Sequence, residues 1–192
     1  MKDHHIKLTK TDKEVLRSYE TMLEGLSQYM GEGYEFVLHS LEDYSSSAVK
    51  VIYGLHTGRT EGAPLTDLAL DLLEEIEKQG KDSRGITYFT KNKKGEPLRS
   101  TTIPVRGEKN RIIGLLCINF YLNTPFSEYI RNFIPATAGE ADQSVSRQEN
   151  FSASSVELLE DMVEQIREEV IEDKEITSAN RNKEIIQRSE ER

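Results

Sequence analysis

The stretch Ile112-Ile113-Gly114-Leu115-Leu116-Cys117-Ile118-Asn119-Phe120 is apolar at odd and even positions alike, with Asn119 as the exception. Successive side chains of a β-strand point to opposite faces of the sheet. A run that is apolar throughout therefore predicts a strand that is buried on both faces, in the middle of a sheet. The rest of the fold has to be arranged around this segment.

Four other segments predict the strands that accompany it. Two come shortly before it, at 85–91 and 98–106, and turn-forming sequences rich in Gly, Asn and Lys separate the three strands. Two more lie earlier, at 34–41 and 47–53, where β-branched and aromatic residues surround a polar turn. Because short turns join neighbouring strands antiparallel, the sequence predicts a mostly antiparallel sheet.

Apolar residues at steps of three and four predict two helices in the same region. The first runs between Asp12 and Met30, and the second begins at Pro64 and ends at Gly80. A glycine-rich loop at 54–63 precedes the second helix. The order of elements predicts an α+β domain of about 110 residues, with its helices on one face of the sheet.

The remaining chain has a different character. Ala, Ser, Glu, Gln and Asp dominate 136–154, which predicts a mobile linker. From there on, apolar residues recur in a heptad-like pattern on a Glu-rich surface, which predicts a C-terminal helical extension at 155–192 that serves as a connector or dimer contact. The predicted organisation is a disordered N-terminus at 1–11, a domain at 12–135, the linker and the connector.

Composition argues against several classes of protein. The chain carries 25 Lys and Arg against 34 Asp and Glu, a net charge of −9, and lacks the basic balance of proteins that bind nucleic acid. Cys117 is the single cysteine, which excludes an internal disulfide and a cysteine-based zinc site. No apolar run is long enough to span a membrane and the start is too polar for a signal peptide, so we expect a cytoplasmic protein without membrane contact.

Five strings follow one another in order within residues 12–125. They are Glu35-Phe36-Val37-Leu38-His39-Ser40-Leu41, Gly54-Leu55-His56-Thr57-Gly58-Arg59, Pro64-Leu65-Thr66-Asp67, Pro97-Leu98-Arg99-Ser100-Thr101-Thr102 and Gly114-Leu115-Leu116-Cys117-Ile118-Asn119-Phe120. Together they resemble the YheO-like PAS domain of bacterial transcriptional regulators. The resemblance implies a PAS-like five-stranded antiparallel sheet with helices on one face, a cavity between them, and a sensory role.

Members of that family usually end in a helix-turn-helix that binds DNA. This chain stops at Glu190-Glu191-Arg192, without room for two further helices after Asn182-Lys183-Glu184-Ile185-Ile186. We expect a truncated regulator, because 183–187 resembles the start of the family's helix-turn-helix region. A naturally shortened protein that keeps only the sensor and its connecting helix is the alternative.

Polar residues inside the predicted strands are candidates for ligand contact. His39 and Asn119 lie in apolar strands, and burying such a group without a partner costs about 1 to 3 kcal/mol. Their partners are either a ligand or the protein's own backbone and hydroxyl groups. By parity Cys117 shares a face with Asn119 and joins the candidates, although a small buried hydrophobe is the plainer interpretation of this thiol.

Two further groups of residues have the chemistry to hold a polar ligand. Arg99, Ser100 and Thr101 offer a guanidinium and hydroxyls suited to a carboxylate, but alternation along the strand lets only half of this stretch point inward. Arg59 and Thr66 lie on either side of a glycine loop at the start of a helix, where backbone N–H groups favour anions. Plain capping by Thr66, with Arg59 in solvent, explains the second pair equally well.

These residues predict a binding protein rather than an enzyme. No nucleophile lies in a strained elbow motif and the four histidines lack metal-ligand spacing, so no metal or cofactor is expected. We expect a sensor that binds a small polar metabolite, such as an amino acid, and signals through the C-terminal helices of a homodimer to DNA-binding helices outside this chain. A ligand-free dimerisation module and an enzyme with His39 as general base are the alternatives.

Overall fold

The computed structural model describes residues 6–131, 133 and 154–191. The chain divides into two compact units, Met1–Ala136 and Thr137–Arg192. The described elements of the first unit are α1 (Lys10–Met30), β1 (Tyr34–Ser40), β2 (Ala48–Ile52), α2 (Asp67–Gln79), β3 (Ile86–Lys91), β4 (Pro97–Arg106), β5 (Ile112–Tyr121) and α3 (Phe126–Arg131), with 3₁₀ turns at Tyr44–Ser46 and Glu108–Asn110; those of the second unit are α4 (Ser155–Glu172) and α5 (Arg181–Glu191).

The five strands form one antiparallel sheet in the order β2-β1-β5-β4-β3. β5 lies at the centre: its Ile118 is opposite Phe36 of β1, and its Asn119 is opposite Ser100 of β4. Both ladders continue along the whole length of β5. The predicted α+β class, the five antiparallel strands and the central position of this segment are confirmed.

Different helices cover the two faces of the sheet. Leu16 and Leu23 of α1 pack with Phe36 on one face, which we call the α1 face. Ile76 of α2 packs with Leu115 on the other, the α2 face. The helices thus divide between both faces instead of sharing one, because β1 and β5 are buried along most of their length on both sides and each side needs an apolar cover.

Local capping signals set the ends of α1 and α2. The Thr9 hydroxyl accepts a hydrogen bond from the N–H of Asp12, and the Asp12 carboxylate accepts one from the N–H of Thr9. Thr66 caps α2 in the same way, through the N–H three residues further on. Each helix ends at a glycine with a left-handed φ, Gly31 at 78° and Gly80 at 87°. The predicted helix ends are confirmed to within a few residues.

Asp12 also ties α1 to the turn between β4 and β5. Its side chain is fully buried, accepts a hydrogen bond from the N–H of Glu108 at 2.9 Å and forms an ion pair with Arg111. Burial acts to raise the pKa of this carboxyl, but hydrogen bonds from the N–H groups of Thr9 and Glu108 and from Arg111 lower it to about 2. The start of α1 is thereby fixed to the sheet by a charged contact.

The residues that precede α1 belong to the core. Leu8 is buried, and Ile6 packs against the apolar clusters of both faces. The N–H of Ile6 donates to the carbonyl of Leu41 at 3.3 Å. The structure therefore extends the first unit back to residue 6, although the sequence predicts disorder up to residue 11; residues 1–5 lie outside the described part of the chain.

In the second unit, α4 and α5 contact each other. The Ser154 hydroxyl caps α4, and Ile166 and Val170 of that helix are buried. Other apolar residues of α4, spaced three and four positions apart, stay exposed and form what we call the α4 stripe: Val156, Leu159 and Val163.

The predicted linker at 136–154 lies outside the described residues except for Ser154. The predicted boundaries at 135 and 155 therefore stay predictions. None of the described helices combines the length and the apolar character needed to cross a bilayer.

Candidate ligand-binding site

A cavity of about 410 Å³ lies on the α2 face of the sheet. Its walls come from the sheet, from the turn after β2, from the first turn of α2 and from the turn after β3. Sites for small ligands have volumes of roughly 300 to 1,000 Å³, so the cavity has room for a metabolite. The lining residues are Thr57, Gly58, Arg59, Thr60, Ala63, Pro64, Thr66, Leu68, Ala69, Tyr88, Thr90, Lys91, Asn92, Lys93, Leu98, Cys117 and Asn119.

A tight turn after β2 presents Arg59 to this cavity. Tyr53 has a φ of 57°, a left-handed value that a tyrosine rarely adopts. Gly54 lies so close to the Arg59 carbonyl that a Cβ atom would be 2.4 Å from its oxygen, so a larger residue does not fit. Gly58, with a φ of 74°, donates its N–H to the carbonyl of Gly54 at 2.8 Å. The glycines predicted to form a loop therefore shape the segment that carries the arginine.

Behind Arg59 lies a buried carboxylate, Glu35, whose residue is 1% exposed. Its Oε1 accepts a hydrogen bond from Nδ2 of Asn119 at 2.8 Å, and its Oε2 accepts one from the hydroxyl of Thr57 at 2.5 Å. The Arg59 Nη1 atom is 4.0 Å from Oε1. These partners offset the cost of burying the carboxylate. The sequence analysis missed Glu35; the signal was an acidic residue inside an apolar strand.

Hydroxyl and thiol groups of three strands meet beside this carboxylate. The Tyr88 hydroxyl is 3.2 Å from the Thr102 hydroxyl, which is 3.5 Å from the Cys117 sulfur. Burial raises the pKa of the Tyr88 phenol and of the Cys117 thiol, so both groups stay protonated at neutral pH. A protonated, buried thiol is a weak nucleophile, which favours the interpretation of Cys117 as a core residue on the cavity wall.

Ser100 lies on the same face of the sheet. It is opposite Tyr88 of β3 and Asn119 of β5, and both of these residues line the cavity. Ser100 is 2% exposed, and its Oγ atom has no hydrogen-bond partner within the described part of the chain. Ser100 is therefore a neighbour of two wall residues but does not itself line the cavity.

His39 lies on the α2 face but does not line the cavity. Its ring Nδ1 is 2.8 Å from the hydroxyl of Ser47, and both side chains are buried. Burial, together with the charge of Arg59, lowers the pKa of His39 to about 4, so the ring is neutral at physiological pH. The polar partner of this histidine is therefore a hydroxyl of the protein.

Arg99 and Thr101 lie on the opposite face from the cavity. In the register of β4 and β5 they are paired with Phe120 and Ile118, which point to the α1 face. Arg99 is exposed, and the Thr101 hydroxyl accepts a hydrogen bond from that of Thr87 at 3.2 Å. Alternation along β4 therefore directs Ser100 inward and its two neighbours outward.

The structure brings part of the predicted set together and separates the rest. Among the described residues, no three His, Cys, Asp or Glu side chains converge as metal ligands. The predicted residues on the cavity wall are Arg59, Thr66, Cys117 and Asn119, with Ser100 adjoining them; those elsewhere are His39, Arg99 and Thr101.

Charges of a single sign line the cavity. Arg59, Lys91 and Lys93 are on its wall, and the lining residues include neither Asp nor Glu. Thr66, at the positive end of the α2 dipole, adds to the same potential. Because the whole chain has a net charge of −9, this cluster is a local exception to an acidic protein. The arrangement suits a ligand with negative charge.

Asn92 connects two of the cavity walls. Its Nδ2 donates to the carbonyl of His56 at 2.8 Å, in the turn after β2. Its Oδ1 accepts from the N–H groups of Lys94 and Glu96, at 3.0 and 2.9 Å, and thereby holds the turn between β3 and β4. One side chain therefore positions the lysine-bearing turn relative to the arginine-bearing turn, a role that the sequence analysis missed.

Comparison with known proteins identifies the family. The YheO-like PAS domain model matches residues 9–135. The uncharacterized protein YheO of Escherichia coli (strain K12) is 40% identical over 177 residues, which cover 92% of this chain and 71% of that protein. An uncharacterized Haemophilus influenzae protein is 35% identical over 178 residues, covering 93% of this chain and 77% of its own length.

One solved structure, the PAS domain of a protein from Colwellia psychrerythraea, superimposes with a TM-score of 0.37. It is 16% identical, and the alignment covers 53% of this chain and 97% of the other. A superposition this loose supports no inference about ligand or activity. The match over 9–135 and the two relatives, by contrast, span the whole described sheet, and this chain belongs to the YheO-like PAS domain family.

Proposed function

We propose that this chain is the sensor region of a bacterial transcriptional regulator and that it binds a small polar metabolite on the α2 face. The wall of the cavity on the α2 face carries the proposal. It combines the Arg59 guanidinium with the hydroxyl-bearing residues Thr60 and Thr90, whose groups can hydrogen-bond a polar ligand. The cations and hydroxyls on the same wall supply further contacts for such a ligand.

Binding rather than catalysis fits the placement of His39. A general base has to lie within hydrogen-bond distance of the substrate proton that it removes. His39 is instead buried against Ser47, and neither residue lines the cavity. This supports a sensor and disfavours the alternative in which His39 acts on a bound substrate.

The proposed output passes through the second unit. The exposed α4 stripe has the spacing of a helix that packs against a partner helix, and we propose that it pairs two copies of this chain. Ligand binding would then change the arrangement of the paired helices and of the DNA-binding helices attached to them. Such a regulator acts as a homodimer in the cytoplasm.

We propose that the C-terminal part of this chain does not itself contact DNA. Residues 151–192 contain 6 basic and 12 acidic residues, a net charge of 6 − 12 = −6, which does not attract a phosphate backbone. We therefore expect residues 1–192 not to shift an operator fragment in a gel, and sequence-specific binding by this chain would contradict that assignment.

Thermal unfolding of the purified chain against a metabolite panel tests the sensor. A ligand that binds only the folded state stabilises it by about 2.7 kcal/mol at a hundredfold excess over its dissociation constant. We expect one chemical class to raise the melting temperature. Asn92→Ala, which loosens the two turns, should reduce that rise. Lys94→Gln, at a residue of the same turn that does not line the cavity, is the matched control and should keep the wild-type rise. A flat panel, with protein shown by mass spectrometry to carry no ligand, would overturn the proposal.

A ligand-free dimerisation module is the second candidate, and the exposed α4 stripe favours it. Sedimentation of the wild-type chain and of Leu159→Glu separates the two functions. Loss of the dimer together with unchanged ligand binding would support a sensor that dimerises. A dimer that persists whatever metabolite is present, in protein that binds none of them, would support the module.

A further inference from the structure

We infer that the ligand of the cavity on the α2 face is a small organic carboxylate, bound by Arg59 and oriented by hydroxyl groups of the cavity wall; this inference rests on the proposed sensor function. The charges, the guanidinium group and the apolar and polar residues of the cavity wall each restrict the class of ligand.

The charges of the cavity wall restrict the sign of the ligand's charge. Arg59, Lys91 and Lys93 line the cavity without a lining carboxylate. Glu35 lies behind Arg59, and the 4.0 Å between Nη1 and Oε1 leaves the guanidinium free to form closer bonds on its other edge. A cationic ligand would meet the like charges of Arg59 and Lys93, so the potential selects an anion.

The surroundings of Arg59 favour a carboxylate over a phosphate. A planar guanidinium matches the two oxygens of a carboxylate with two parallel hydrogen bonds. The positive charge of Arg59 is shared with the buried carboxylate of Glu35, which favours one negative charge at this point over the two of a phosphate. Lys91 and Lys93 lie at the exposed rim, where a second carboxylate or the solvent can meet them.

The other lining residues restrict the rest of the ligand. Ala63, Leu68, Ala69 and Leu98 give the wall an apolar part that suits a short carbon chain. The hydroxyl-bearing residues Thr60 and Thr90 on the same wall then favour a polar atom on that chain. A carboxylate with a hydroxyl, carbonyl or amino group a few bonds away meets all three conditions.

Calorimetric titration with four- and five-carbon compounds of different charge, and with inorganic phosphate, tests the inference. The probes are succinate, malate and glutamate as carboxylates, succinamide as the neutral match, 1,4-diaminobutane as the cationic match, and inorganic phosphate. We expect binding by a carboxylate, weak or no binding by succinamide, and none by the diamine. Arg59→Gln should weaken carboxylate binding by about tenfold or more, the effect of losing one charge-assisted pair.

Two neighbouring lysines provide a matched control. Lys93 lines the cavity and Lys94 does not, although both are exposed in the same turn. Lys93→Gln should weaken carboxylate binding by about threefold and Lys94→Gln should leave it unchanged. Thr90→Val, which keeps the shape of a lining side chain but removes its hydroxyl, should lose affinity for malate relative to succinate, so the test does not depend on how well Arg59→Gln folds.

The outcomes distinguish a wrong ligand class from a wrong sensor function. Preference for succinamide or the diamine overturns the carboxylate inference and leaves the sensor proposal standing. Equal effects of phosphate and carboxylates, undiminished in Arg59→Gln, also overturn it, since they indicate non-specific anion binding. Binding by none of these probes, while another metabolite raises the melting temperature, again rejects only the carboxylate. Failure of every compound in both experiments rejects the sensor as well.

Discussion

The two faces of the sheet use the same strands for different purposes. On the α1 face, Leu16 and Leu23 pack with Phe36, Leu38 and Leu116 in a continuous apolar cluster. The α2 face buries polar groups that include the side chains of Glu35, His39, Ser100, Thr102 and Asn119. The α1 face has the apolar packing that stabilises the sheet. The α2 face adds buried polar groups, which stability alone does not require.

The two faces differ in how much their buried side chains contribute to the free energy of unfolding. An apolar side chain gains free energy when it leaves water, whereas a polar one gains little even when it is fully hydrogen-bonded. None of the described residues hydrogen-bonds the Ser100 hydroxyl. Buried polar groups near a cavity make the α2 face less stabilising than the α1 face. Substitutions on the α1 face should therefore change mainly stability, and substitutions on the cavity wall mainly ligand binding.

The largest effect is expected from Leu23→Ala on the α1 face. Leu23 is 0% exposed, and truncating a fully buried leucine costs about 3 to 4 kcal/mol through lost burial and the cavity that remains. Urea unfolding should show this loss as a lower midpoint with an unchanged slope. Ligand affinity, measured where the variant is folded, should match the wild type; a loss of affinity would break the proposed separation of the faces.

The next effect is a pH dependence that comes from His39. The folded protein holds the pKa of this ring at about 4 against an ordinary value of 6.5, so the unfolded chain binds the proton more strongly. The contribution of the neutral ring is complete above pH 6.5, falls as the pH drops, and about 3 kcal/mol is lost by pH 4.

Urea unfolding of the wild type and His39→Gln between pH 7 and pH 4 measures that contribution. Because glutamine does not titrate, the variant should lose less stability over this interval, and the two curves should converge as the pH falls. Parallel curves would show that His39 is not the group that senses pH on the α2 face.

A smaller effect is expected at the edge of the α1 face from Asp12→Asn. The substitution removes a buried charge that receives hydrogen bonds from Glu108 and Arg111, at a cost of about 2 kcal/mol. The contribution of Asp12 is complete above pH 3.8 and is lost as the pH falls toward 2, so wild type and variant should approach each other only in that lower interval. A difference that already vanishes by pH 5 would refute this assignment.

The smallest effect on stability is expected from Ser100→Ala. The hydroxyl has no hydrogen-bond partner among the described residues, so the free energy of unfolding should change by less than about 0.5 kcal/mol, or rise. Thr102→Val serves as a matched control, because Thr102 contacts both Tyr88 and Cys117 and should cost about 1 kcal/mol. Equal losses in both variants would mean that Ser100 is hydrogen-bonded after all.

The sheet could be predicted from the sequence because its signals are local. β5 is apolar on both faces, and the turns on either side of β4 contain the residues that turns require. The arrangement of the helices could not be predicted as easily. Nothing in the sequence of α1 states which face it covers, and the double burial of β1 was the signal that both faces need a helix.

The site was predicted less completely because it depends on register. Arg99, Ser100 and Thr101 are consecutive, and the pairing of Ser100 with Asn119 decides which of them faces the cavity. The role of Glu35 could not be predicted because its partners, Thr57 and Asn119, are distant in sequence. Residues whose role depends on contacts between distant segments need the folded chain to be recognised.

The central position of β5 has a consequence for how the domain forms during translation. β1 and β2 pair as one hairpin and β3 and β4 as another, and only β5 joins them. Until that last strand leaves the ribosome, the nascent chain holds two hairpins with open edges and uncovered apolar faces. The domain should therefore assemble in one late step, through contacts between distant residues that form slowly. Ribosome stalling ahead of β5 would leave a fragment prone to aggregation.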